Sequence, residues 1–451
     1  MPYRLIPPLI LLSLDLTFGA DIKFNTCYCD VERSGYTLRR IDWLNDPSRI
    51  FFETLARLYL TRRFNYSYCL VAALMVKKPL DRSGSVRDLR IDFFRGLALY
   101  MILVDHVVGD PLASRFTIKN FGISDAAEAF IFLSGVSCGI VYSRVLVRRG
   151  WAGLAAVISK RATRIYAYYV LSSLAVIVLL KAAEGLIKNT LVPTHSSIIL
   201  REEPVPAILS TLFLTSPPDW PGILVIYLVL TVVAIPLFLL GAGASAELTL
   251  TASGLVWVLS QFYPNLLPHL ADHSYFNPLA WQFLFSIGMF VGFRYNSTSE
   301  WQGTTQFSRW LVKIAWVVVI FGLLYHRYRF QLHLDWLPIP DDKDNLSADR
   351  LLHFLSIAFL CSTYVKSNNR ILRWQPAAIV IRTGQCSLEM FSMGSILSVL
   401  LTLNNVLRHP SPLEKVAIDC VAVLLMALTA VVLTRNRQRY RQQPTEISTA
   451  N

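Results

Sequence analysis

The stretch GILVIYLVLTVVAIPLFLLG, residues 222–241, runs for 20 positions without a charged side chain. As a helix at about 1.5 Å per residue it covers roughly 30 Å, the hydrocarbon thickness of a bilayer. Nine further segments read as spans on the same ground: 93–110, 126–143, 163–183, 248–263, 279–295, 309–326, 350–366, 387–405 and 415–434. Hydrocarbon offers backbone N–H and C=O groups no partner, so only helices or closed barrels cross it. Apolar runs of roughly 15–22 residues, rather than alternating strands of about ten, select helices. The stretch 205–214 is apolar but too short to span, and reads as re-entrant or interfacial.

Composition agrees. Hydrophobic residues make up 54% of the 451 positions, charged residues 16%, and mean hydropathy is +0.45. A soluble domain carries about 25% charged residues, and a chain this apolar could not cover its surface in water. The expected fold class is therefore an all-α polytopic integral membrane protein with about ten transmembrane helices. The net charge of +13 does not point to nucleic acid, because Lys and Arg sit in short clusters between apolar runs. Those clusters fall on alternate connections: Lys77 to Arg90, Arg144 to Arg161, Arg294 to Lys313, Lys366 to Arg382, and Arg435 to Arg441. The short connection 242–247, which carries no Lys or Arg, is the exception. By the positive-inside rule both termini are cytoplasmic and the membrane is a bacterial inner membrane.

Three regions follow. Residues 1–80 form an atypical N-terminal extension. Residues 5–19 hint at a signal peptide, but Asp15 and two prolines interrupt them, and a cleaved signal would oppose the charge pattern. The extension reads as unstructured or loosely attached. Residues 86–434 form the membrane domain, and 435–451 a basic cytoplasmic tail. The seven cysteines include no CxxC pair, so no metal or redox dithiol is expected.

Charged groups inside spans are costly and mark function. Arg95 lies near the cytoplasmic mouth of the first span, and His106 eleven residues on, about 16 Å deeper. An imidazole there can take a proton near neutral pH; a polar helix end in water is the bland alternative. Asp105 adjoins it, but successive helix residues point about 100° apart. Arg161 and Arg164, three apart, share a helix face at the cytoplasmic surface. There they either grip phosphate or anchor the helix. Asp125 and Glu128 open the second span at its outer end, as cavity lining or as helix N-terminal carboxylates. His353 and Glu389 read as cavity-lining groups near the ends of the eighth and ninth spans.

Together these stretches resemble a known family. Arg95 and His106, then Arg161-x-x-Arg164 before an apolar run, resemble the acyltransferase 3 superfamily of membrane acyltransferases. Residues 87–96, 120–135, 276–282, 350–355 and 386–391 resemble, in order, its OpgC-type members, which modify osmoregulated periplasmic glucans. Cys386 departs from the pattern, standing where a histidine is expected.

The resemblance implies a membrane O-acyltransferase. The acyl group, succinyl or another short one, comes from cytoplasmic acyl-CoA as co-substrate, with no permanently bound cofactor. The acceptor is a hydroxyl of a periplasmic glucan, and glucan-synthesis proteins are possible partners beside membrane lipid. His106 would be the general base with Asp105 beside it, and Arg95, Arg161 and Arg164 would face the donor. Asp125, Glu128, Asn277, Trp281, Gln282, His353 and Glu389 would line the substrate site. An N–H of Trp281 or the Gln282 amide would serve the oxyanion. Trp220, Tyr263, Tyr275, Trp281 and Trp336 offer faces for sugar rings or interfacial anchors. A transporter or flippase, and a non-enzymatic envelope scaffold, are the competing classes. No paired broken helices of the transporter kind are present in the sequence.

Overall fold

The computed structural model describes residues 9–14, 24–32, 35–41, 87–108, 116–184, 203–215, 217–264, 276–298, 306–328, 331 and 339–442. The chain divides into two compact units, Met1–Tyr66 and Ser67–Asn451. The first carries an antiparallel sheet of β1 (Leu9–Leu14), β2 (Phe24–Glu32) and β3 (Gly35–Ile41), in that order. Leu11 pairs with Cys27 and Thr26 with Ile41. The sheet is unlike the unstructured extension expected there. Strands this short gain their backbone partners only from a neighbour, which hydropathy along the chain does not register.

Every described element from residue 87 onward is helical. The helices are α1 (Leu89–Asp105), α2 (Ala126–Ala183), α3 (Pro204–Leu212) and α4 (Ile223–Ala242). They continue with α5 (Ala246–Phe262), α6 (Pro278–Thr298), α7 (Gln306–Tyr328) and α8 (Ala348–Tyr364). The last are α9 (Gln375–Gln385), α10 (Ser387–Arg408) and α11 (Pro412–Gln442).

Among the described residues five helices are long and apolar enough to cross a membrane: α2, α4, α7, α10 and α11. Helices α1, α5 and α8 have 17 residues each, about 26 Å at helical rise and so near the limit. Helix α2 contains two of the expected segments. Gly150, at φ 67° and ψ −172°, breaks its 58 residues into two helices, a left-handed conformation that glycine adopts freely. The short stretch after the α2 arm is the nine-residue α3. It is tied down by Tyr166 Oη to the Leu212 carbonyl (2.9 Å) and Tyr169 Oη to that of Thr211 (3.2 Å).

Outward-facing leucines, isoleucines and valines on α7 and α11, among them Val317, Ile320, Leu424, Leu428 and Val432, are exposed. Water would penalise such a surface, and lipid does not. The protein is accordingly a membrane protein.

Backbone-to-backbone approach of α2 and α6 forms the centre of the bundle. Gly135 and Gly139 on one helix meet Gly288 and Gly292 on the other. A Cβ at Gly292 would collide with the Val136 carbonyl. Small residues at such crossings let apolar helices gain dispersion contact where lipid supplies no hydrophobic drive. Gly292→Leu should therefore lower the thermal midpoint of detergent-solubilised protein, overpacking costing about 1–3 kcal/mol. Gly394→Ala, whose Cβ would rest in ordinary contact with Leu103, should not. Equal midpoints for the two variants would show that this crossing is not tightly packed.

Candidate active site

Polar side chains gather at two ends of the bundle. One end is built on the last turn of α1. The His106 backbone N–H donates to the Ile102 carbonyl (3.2 Å), and its ring Nδ1 lies 2.8 Å from the same oxygen. A carbonyl only accepts, so Nδ1 carries the proton and Nε2 keeps its lone pair. Trp220 Nε1 donates to the His106 carbonyl (3.1 Å), and Ser395 Oγ to that of Trp220 (3.3 Å). Trp220 is buried. It serves as a clamp on the helix end. Asp105 does not orient the imidazole. Its Oδ1 accepts from Thr117 Oγ1 (2.6 Å), because adjacent helix positions diverge.

Beside this end lies a charge cluster. Asp125 caps α2, accepting from Ala127 N (2.7 Å), while Glu128 Oε2 accepts from Asp125 N (3.0 Å), a reciprocal capping box. Arg350, at the start of α8, grips Glu128 (2.7 Å), Asp341 (2.9 Å) and Asp125 (3.4 Å). Lys343 Nζ lies 2.7 Å from Asp125 Oδ2. Burial works against the Asp125 carboxylate, but Lys343 and Arg350 outweigh it and hold it below the usual carboxylate range. Burial likewise disfavours the Lys343 ammonium, and Asp125 and Glu128 overcome that, leaving it above its ordinary value. Asp125 and Glu128, expected to face substrate, are thus committed to two cations.

The loop carrying Lys343 is held from three sides. Trp281 Nε1 donates to the Lys343 (3.1 Å) and Asp344 (3.2 Å) carbonyls. Asn277 N donates to Asp344 O (2.8 Å), and its Nδ2 to Asn345 Oδ1 (2.9 Å). Trp257 Nε1 reaches Leu346 O (3.0 Å), and Gln261 Nε2 reaches Asn345 O (2.8 Å). Asp341 and Leu346 take positive φ, 42° and 46°, costing about 1–3 kcal/mol each for side chains with a Cβ.

The donors of Trp281 and Gln282, expected to serve an oxyanion, are engaged with backbone carbonyls in this structure. The Trp281 N–H is engaged and its side chain fully buried. The Gln282 amide donates to Ser253 O (2.9 Å) and Leu279 O (3.1 Å). Asn277 likewise supports the loop. His353 is enclosed between Gly122 and Gly322, where any Cβ would strike the ring. Its Nδ1 meets Ser124 Oγ (2.8 Å) and accepts from Ser124 N (3.3 Å), so it pins the 116–124 segment to α8 rather than lining a cavity. Tyr263 is exposed, while Tyr275 and Trp336 lie outside the described residues.

At the other end the two arginines of α2 part company. Arg161 has Cys138, Tyr142 and Tyr227 as its neighbours and lies within hydrogen-bonding reach of the Tyr142 hydroxyl. Arg95 lies within its electrostatic reach and donates to Leu133 O (2.9 Å) and Ser137 Oγ (2.5 Å). The Nε atoms of both arginines are buried without a partner among the described residues. Arg164 instead pairs with Glu389, which also takes Arg437. Glu389 is therefore a counter-ion shared by α2 and α11. Arg437 also reaches Cys386 Sγ (3.2 Å). Among the described residues no group of three His, Cys, Asp or Glu side chains is placed to hold a metal ion.

A family model described as OpgC protein matches residues 87–438. The chain belongs to the OpgC family. No curated protein matches it. Both polar ends fall inside the OpgC match. Within that span Arg350, Lys343, Tyr227 and Arg437 were not among the expected site residues. Arg350 opens a span and stands in a matching stretch, a signal of its importance. Lys343 sits among four aspartates of one loop, where composition alone suggests only solvent exposure.

Proposed function

We propose that this OpgC-family protein is a membrane O-acyltransferase acting on osmoregulated periplasmic glucans. It takes a short acyl group, succinyl first among them, from cytoplasmic acyl-CoA. Family membership supports glucan modification and a transferase role. The observation that carries the chemistry is the His106 tautomer, with Nδ1 fixed on a carbonyl and Nε2 left with its lone pair. A sugar hydroxyl is a weak nucleophile at neutral pH and needs such a base.

In the proposed step the hydroxyl oxygen bonds to the thioester carbon as its proton passes to His106 Nε2. The carbonyl pair moves onto oxygen, then returns as the C–S bond breaks. The leaving thiolate takes the proton from the imidazolium, giving ester and CoA thiol. Arg95 and Arg161, whose Nε atoms are buried without a partner among the described residues, offer guanidinium groups to donor phosphate. Arg95 stands eleven residues from His106, about 16 Å along the helix, a distance comparable to an extended pantetheine arm. In this reading ten spans cross the inner membrane, with both termini in the cytoplasm.

Mass spectrometry of envelope glucans from cells with and without the gene tests the function. A succinyl mass increment that disappears with the gene is expected. Identical glucan masses would overturn it and favour a transporter, which leaves its substrate unmodified. The arginines test the donor site separately. Arg161→Lys should raise the KM for acyl-CoA about tenfold or more with a smaller change in kcat, because a point ammonium replaces a planar fork. Arg164→Lys should leave donor KM near its original value, its partner being Glu389. Equal effects at the two positions would return Arg161 to a helix-anchoring role.

A further inference from the structure

Helices α7 and α8 run antiparallel and touch at two levels. Gly322 of α7 abuts the His353 ring of α8. Nearer the start of α7, Trp316 Nε1 donates to the hydroxyl of Tyr364 (3.2 Å), the last residue of α8. Past that second level both chains continue on the same side. There α7 carries Lys313, about 4.5 Å along the axis from Trp316, and then Arg309. Positions 309, 313 and 316 share one helix face, the face that meets Tyr364. From the end of α8 the chain runs on into Lys366, Arg370 and Arg373. All five cations are exposed. No Asp or Glu occurs in 306–315 or 362–382. The neighbouring arginines of α1 are different. Arg90, which donates to Val365 O (3.3 Å), pairs with Asp88, and Arg87 pairs with Asp92.

Aromatic and apolar side chains adjoin these charges. Lys313 Nζ stands 4.6 Å from the centre of the Trp310 ring, a cation over a π face. Trp310, Trp316, Tyr364 and Trp374 are exposed, and Ile314 and Val317 continue the open surface of α7 away from its charged end. Tryptophan and tyrosine settle at headgroup depth, where one edge of the ring is wet and the other apolar. Lysine and arginine lay their stems along apolar surface and hold their charge at the same depth.

We propose that this end of the α7–α8 pair binds an anionic phospholipid, its phosphate between Lys313 and Lys366 and an acyl chain along Ile314 and Val317. Charge complementarity selects the occupant. A zwitterionic headgroup brings an ammonium of its own, which five cations without acidic neighbours in their stretches repel. An anionic headgroup brings none. Soluble phosphate would meet the charges but leave the apolar strip of α7 uncovered.

The test uses full-length protein purified in detergent, with lipid retention read by native mass spectrometry. Phosphatidylglycerol is the probe and phosphatidylcholine the zwitterionic comparison. The original protein should hold phosphatidylglycerol about tenfold or more tightly than phosphatidylcholine. Lys313→Gln with Lys366→Gln should weaken phosphatidylglycerol binding about tenfold and leave phosphatidylcholine binding where it was. Lys313→Arg with Lys366→Arg keeps the charge and should keep the lipid, which guards against a folding defect. Arg148→Gln with Arg149→Gln removes two exposed cations of α2 and should change the affinity about twofold or less. Equal losses in the two glutamine variants would mean diffuse attraction to a basic surface and would overturn the proposal. Equal retention of the two lipids by the original protein would overturn it as well. Glycerol 3-phosphate, a phosphate without chains, should not displace the lipid at equal concentration; displacement would make this a site for soluble phosphate instead.

Discussion

His106→Ala should reduce acyl transfer by about 10²–10⁴-fold, the usual range for loss of a general base, while the protein still reaches the membrane at its normal level. The substitution removes the ring, but the backbone features of that helix end persist. The His106 N–H still bonds Ile102 O, and the His106 carbonyl still accepts from Trp220. The helix end should therefore survive and the loss should be chemical. Substitution by glutamine, which keeps polarity without a basic nitrogen, should be as inactive as alanine. Membrane-vesicle assays with acyl-CoA, alongside immunoblots for level, decide the matter. Near-original rates in a well-expressed His106→Ala protein would remove the histidine from the mechanism.

The second large effect is on stability. Arg350→Met should strongly destabilise the protein, because Glu128 is fully buried and loses its cation. Removing one partner of a buried ion pair costs about 3–5 kcal/mol, since the stranded charge stays desolvated. Lys343 acts on Glu128 only at a distance, its contact being with Asp125. The double variant Glu128→Gln with Arg350→Met should regain much of the loss, because no full charge then remains buried at that position. Thermal unfolding of the solubilised variants reads this directly. A single variant as stable as the original would mean that water, not Arg350, serves Glu128.

Arg161 and Arg164 are three residues apart and look equivalent along the chain. One has Tyr142 of its own helix within reach, the other pairs with Glu389, 225 positions away. Trp281 and Gln282 look like free donors because their sequence neighbours are apolar. Their N–H groups are met by carbonyls of segments that the chain brings back only in three dimensions. The apparent solvent loop 341–345 becomes a braced platform for the same reason.

Hydropathy and helical rise are local properties. From them the sequence by itself determined a membrane protein, the positions of its long helices, and the separation of Arg95 from His106 along α1. The family motifs were legible as well, since each lies within a short contiguous stretch. Pairing of charges is not local. Whether a carboxylate or guanidinium faces substrate or a counter-ion depends on which distant segment packs against it, and burial enforces that choice by penalising any charge left alone. Only the tertiary structure could assign Glu128 to Arg350, Glu389 to Arg164 and Arg437, and Trp281 to the Lys343 loop.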